Sequence, residues 1–73
     1  MIRVLVVDDE ELVRSGLRLI LEAAGDIAIA GEARGGEEAV AAARRLRPEV
    51  VLMDVRMPGM DGLTAAARLL ALP

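Results

Sequence analysis

The chain has 73 residues, a net charge of −3, and no Cys, His, Phe, Tyr or Trp; all nine basic residues are Arg. That size holds one small domain at most, and a hydrophobic content of 55% excludes a disordered segment. The missing Cys and His exclude disulfides, the usual zinc sites and any Ser-His or Cys-His nucleophile pair, and an acidic balance without a basic patch argues against direct nucleic-acid binding by this segment.

Residues Ile2 to Val7 are β-branched and almost wholly apolar, which predicts a parallel strand buried on both faces. The run stops at four acids, Asp8, Asp9, Glu10 and Glu11. Val13, Leu17, Ile20, Leu21 and Ala24 then recur at helical spacing, with Arg14 and Arg18 expected on another side. Gly25 suits the end of that helix. Ile27 to Ala33 predicts a second strand, small-residued and peripheral. Gly35-Gly36 breaks the chain. A helix is expected from Glu37 to Leu46, with acids at its start and Arg44 and Arg45 at its end, matching the helix dipole. Pro48 forbids its continuation. Val50 to Met53 predicts a third strand running straight into Asp54. Met57-Pro58-Gly59 reads as a turn, and Asp61 as the cap of a third helix from about Leu63 to Leu70.

Strands alternating with helices imply a parallel sheet with right-handed crossovers. Three strands are few for such a sheet, and a fourth is expected where the sequence stops, so the domain reads as truncated. No apolar stretch approaches the ~20 residues of a membrane span, and no export signal opens the chain. A cytoplasmic location is therefore expected, with no membrane contact.

Asp8 and Asp9 follow the first strand, and Asp54 follows the third. Parallel strands put their C-terminal ends on one edge, where ligands of such sheets bind. If strands 1 and 3 are neighbours, three carboxylates converge and need a cation. Oxygen ligands without His or Cys select a hard ion, Mg2+ before Ca2+ or Mn2+. A carboxylate beside that ion can attack phosphorus and form an acyl phosphate. A plain structural account exists for each residue alone: an Asp after a strand commonly caps the next helix. Glu10 and Glu11 read as favourable charges in a first helical turn. Ser15 and Thr64 lack a base partner and read as structural. The combination is far more specific than its members.

Val-Leu-Val-Val-Asp-Asp-Glu (Val4 to Glu10) and Val-Leu-Met-Asp-Val-Arg-Met-Pro-Gly-Met-Asp-Gly (Val51 to Gly62) resemble bacterial response-regulator receiver domains. The resemblance covers the whole chain. It implies a truncated flavodoxin-like (CheY-like) α/β fold in three layers, with strand order 2-1-3. Residues 1–73 would be the N-terminal part of a receiver domain lacking strands 4–5 and helices 4–5. Asp54 would be the phosphoacceptor. Asp9 and Asp54 would bind Mg2+ directly with the Arg56 backbone carbonyl, and Asp8 through water or as a second acidic ligand. A sensor histidine kinase or a small acyl phosphate would be the donor. The chain would be no enzyme beyond catalysing its own phosphorylation and dephosphorylation. Val13 to Leu17 and Ile27 to Ala33 look like the NarL/FixJ/LuxR type, whose receivers precede a helix-turn-helix DNA-binding domain. The Ser or Thr after strand 4 and the Lys after strand 5 of a complete receiver have no counterpart in these residues. An open edge at strand 3 would invite a homodimer or a domain-swapped oligomer. Two rival readings remain: an interaction module that keeps the fold without phosphorylation, which the retained acids oppose, and a phosphohydrolase, which would need a general acid where Arg56 stands.

Overall fold

The computed structural model describes residues 1–54 and 67–72. The elements run β1 (Ile2–Val7), α1 (Glu11–Ala23), β2 (Ile27–Ala33), α2 (Gly36–Leu46) and β3 (Val50–Met53). The strands form a parallel sheet in the order β2-β1-β3. Five predicted elements thus stand within a residue or two of their expected places. Of the expected third helix, residues 67–70 are helical, whereas 63–66 lie outside the described residues, as do the turn at Met57 and the cap at Asp61.

β1 is central, and its residues Val4 to Val7 are all buried. Leu5 and Val7 point to one face, where they pack with Ala33 and with Ala39, Ala42 and Ala43 of α2. Leu46, Val51, Met53, Leu69 and Leu72 close over this cluster. Small side chains on α2 let the helix approach the sheet closely, so aliphatic residues fill the core without an aromatic. Gly31 shows the limit: a Cβ there would stand 2.6 Å from Leu46 Cδ1. α1 covers the opposite face, that of Val4 and Val6.

The pairing of β1 with β2 contains a bulge. Val4 pairs with Ile29 but Leu5 pairs with Gly31, so Ala30 is extra. Because side chains alternate along a strand, one extra residue inverts everything after it. Ile27 and Ile29 share the α1 face with Val4. Beyond the bulge, Gly31 and Ala33 turn to the α2 face, and Glu32 turns to α1. A regular strand would have aimed Glu32 at the α2 core.

α1 ends as its sequence suggests. Gly25 takes φ +86°, the left-handed conformation that glycine adopts without steric cost. α2 ends differently. Pro48 disfavours a helical Arg47, and Arg47 takes φ 49°, a left-handed conformation without glycine's freedom. Arg3 holds that end in place. Its guanidinium donates to the Arg47 carbonyl at 2.9 Å and the Leu46 carbonyl at 2.6 Å. A cation at a helix C-terminus is also favoured by the dipole. Arg3→Ala is expected to lower stability by about 1 kcal/mol, read as an earlier urea midpoint; an unchanged midpoint would remove the cap from this account.

The predicted apolar face of α1 is only partly buried. Leu17 and Leu21 lie half-buried against the sheet, but Val13 and Ile20 are exposed, as are Val50 and Leu52 of β3. The α1 residue that is most deeply buried is Arg14, which was expected on another side of the helix from its apolar residues.

Candidate functional site

The C-terminal ends of β1 and β3 meet at one edge of the sheet. Val7 pairs with Met53, and the next backbone N–H, that of Asp54, donates to the Val7 carbonyl at 3.2 Å. Asp54 therefore leaves β3 alongside the point where Asp8 leaves β1. Its side chain is half-buried.

Asp8 is tied down through its backbone N–H, its backbone carbonyl and one carboxylate oxygen. Its N–H donates to the Ala33 carbonyl of β2 at 3.1 Å. Its Oδ1 accepts the Glu10 N–H at 2.9 Å, a local turn that Asp favours. Its carbonyl accepts Nη1 of Arg14 at 2.8 Å. Only 8% of the residue is exposed. The turn curls the chain back on itself, so that carboxylate oxygens of Asp8, Asp9 and Glu10 lie within 4.8 Å of one another. Asp9 and Glu10 are exposed to solvent.

The donor set fits a hard divalent cation. It is anionic, made only of oxygen, open to water and clustered tightly enough to repel itself without a counter-charge. Asp8 keeps its second carboxylate oxygen clear of the Glu10 turn.

Thus Asp8 and Asp9 come together, Asp54 comes to the same edge, and Arg56 lies outside the described residues. Sequence reasoning assigned Glu10 to the first turn of α1 as a favourable charge. In the structure it precedes the helix as its N-cap residue, makes no side-chain cap, and joins the acid cluster. Arg14 was also missed. Its Nε donates to Oε1 of Glu32 at 3.1 Å, and Arg18 Nη1 reaches Oε2 of the same carboxylate at 2.6 Å. Hydrogen bonding to Glu32, then the charge of Glu22, raises the pKa of Arg18 above its ordinary value. The available signal was the interleaving of Arg14, Leu17, Arg18 and Leu21 on one stripe of α1. No buried side-chain nitrogen or oxygen among the described residues lacks a partner. No described helix is long and apolar enough to cross a membrane.

Comparison with known proteins places these features in context. The response regulator receiver domain family matches residues 4–73. The response regulator GacA of Pseudomonas viridiflava is 53% identical over 70 residues, which are 96% of this chain and 33% of that protein. The transcriptional regulatory protein LiaR of Bacillus subtilis is 52% identical over 69 residues, 94% of this chain and 33% of that one. The response regulator domain of Thermotoga maritima CheB superposes with a TM-score of 0.92 at 40% identity, over 96% of this chain and 52% of its own. The chain thus spans about a third of these curated relatives and about half of that solved domain.

Proposed function

This chain belongs to the response regulator receiver domain family, and from that membership we propose that it accepts a phosphoryl group on Asp54 with Mg2+ held at the acidic edge. The observation that carries the reading is the Asp54 N–H bond to Val7, which brings the end of β3 beside the Asp8–Glu10 acid cluster. Asp9 and Asp54 would hold the ion directly, with the Arg56 carbonyl as a further ligand, and Asp8 would act through water or as a second acidic ligand. When bound, the ion neutralises charge on the transferring group and on its acidic neighbours. An Asp54 carboxylate oxygen forms the new bond to phosphorus. The bond from phosphorus to the donor breaks, and its electron pair leaves with the imidazole of a phosphohistidine or the carboxylate of an acyl phosphate. The product is an aspartyl phosphate.

On this reading residues 1–73 are the first part of a receiver domain, cytoplasmic, with a sensor histidine kinase as donor. The likeness to the transcriptional regulatory protein LiaR supports transcription control by the full-length protein, for which a DNA-binding output domain is the proposed means. Among the described residues β3 is an edge strand, with Val50 and Leu52 exposed, as are Val13 and Ile20 of α1. This favours pairing of the 73-residue chain with a second copy, as a homodimer or a swapped oligomer. Sedimentation of the isolated chain is expected to give a dimer or larger species, and a folded monomer would overturn that part.

The test of function is intact mass after incubation with acetyl phosphate, on the full-length protein and on the 73-residue chain. A single phosphoryl adduct is expected with Mg2+ and none with a chelator. No adduct on either protein would overturn the reading.

A further inference from the structure

Arg14 is a buried cation one helical turn from the acid cluster, and the phosphoryl chemistry above does not use it. Burying a guanidinium requires partners for its donors. Two of them are spent on specific groups: Nη1 on the Asp8 carbonyl at 2.8 Å and Nε on Glu32 at 3.1 Å. The Asp8 carbonyl belongs to the peptide plane that joins Asp8 to Asp9. A peptide is planar, so fixing its oxygen fixes the direction of the bond to the Asp9 Cα. The N–H of Asp8 is already anchored to Ala33. With both its backbone polar groups bonded, residue 8 is held in one orientation, and the chain enters Asp9 in a set direction.

We propose that Arg14 is a positioning residue for the acidic site: it holds the Asp8–Asp9 peptide so that the Asp9 carboxylate is presented to the cation. The proposal rests on the phosphoacceptor reading. Glu32 completes the device. It shares its two oxygens between Arg14 and Arg18, orienting the Arg14 guanidinium and offsetting its charge beside a cation site. Glu32 reaches α1 only because the extra residue at Ala30 turns it to that face. The bulge in β2 and the geometry of the acid cluster are therefore linked through one side chain.

The test is Mg2+ titration by calorimetry on the full-length protein, without a phosphoryl donor, with a circular-dichroism melt for each variant. Arg14→Ala is expected to weaken Mg2+ binding by about ten-fold or more, as loss of a group supporting metal ligands commonly does. Arg14→Lys keeps the charge but gathers its donors on one nitrogen instead of a planar fork, and is expected to recover part of the affinity. Glu32→Gln is expected to weaken binding in the same direction as Arg14→Ala. A folded Arg14→Ala protein with wild-type Mg2+ affinity would overturn the proposal, even with a lowered melting temperature. If Arg14→Ala does not fold, Arg14→Lys and Glu32→Gln decide: wild-type affinity in both overturns it, and a loss in both supports it. Asp9→Asn separates the two levels. If Asp9→Asn binds Mg2+ like the wild type, Asp9 is not a ligand and the role of Arg14 falls alone; if the wild type binds none, the Mg2+-dependent phosphoacceptor reading falls and the role of Arg14 falls with it.

Discussion

Asp54→Asn is expected to leave the protein's mass unchanged under acetyl phosphate and Mg2+, where the wild type gains one phosphoryl group. The substitution keeps the size of the side chain and its place beside Val7, so the fold has no reason to change. It replaces the nucleophilic oxygen pair with an amide, whose nitrogen lone pair is delocalised. Removal of a covalent nucleophile lowers turnover by at least about a thousand-fold in well-studied enzymes. Over an incubation that labels the wild type fully, this amounts to no visible adduct. Asp9→Asn should behave differently. It removes a ligand and leaves the acceptor, so labelling is expected to fall but to recover partly at higher Mg2+. An adduct of full intensity on Asp54→Asn would move the acceptor to another acid, with the exposed Asp9 and Glu10 of the cluster as the alternatives. Equal labelling with and without Mg2+ would detach the acid cluster from the reaction.

Leu5→Ala is expected to have the largest effect on stability. Leu5 is fully buried in the central strand and packs against Ala33, Ala39, Ala42 and Ala43. An alanine methyl has no rotamer with which to reach into the space, so any collapse is left to partly buried neighbours such as Leu46 and Met53 and is incomplete. The cost is about 2–5 kcal/mol. Native domains hold only roughly 0.05–0.15 kcal/mol per residue, and a chain of about 60 residues buries only about 60% of the surface it exposes when unfolded. The substitution therefore removes much of what holds the 73-residue chain together. Urea unfolding monitored by circular dichroism gives the measure. Leu12→Ala is the control: Leu12 is 87% exposed on α1, and its loss should change stability by less than about 0.5 kcal/mol. Similar midpoints for the two variants would show that the Leu5 cluster is not the core.

The order of elements was legible in the sequence because the signals are local. β1 is an unbroken aliphatic run that ends in acids. α1 ends at a glycine whose φ of +86° needs no side chain, and α2 ends before a proline. Each of these acts over a few residues, so no knowledge of distant neighbours is required. The two acid motifs were legible for the same reason. Their chemistry sits at strand ends, and parallel strands share an edge. The strand order β2-β1-β3 came with the family resemblance, and the structure has the same order.

Tertiary structure decided the rest. The direction of Glu32 depends on the bulge at Ala30, which exists only in the pairing of β1 with β2. No periodicity within β2 reveals it, since Ile-Ala-Ile-Ala-Gly-Glu-Ala alternates weakly on either parity. Arg14 looked like a surface charge because helical spacing records polarity, not the partners waiting across the interface. Once Glu32 and the Asp8 carbonyl supply acceptors, burial of its guanidinium is compensated. Val13 and Ile20 show the converse: their apolar character marks a face that the described residues leave uncovered. Arg3 likewise serves a helix end 43 residues away in sequence, a contact set by the register of β1 against β3. Sequence by itself determined where elements begin and end and that Asp8, Asp9 and Asp54 follow strand ends, because those depend on neighbouring residues. Which polar groups hold those acids in place was decided by contacts between strands and helices far apart in the chain.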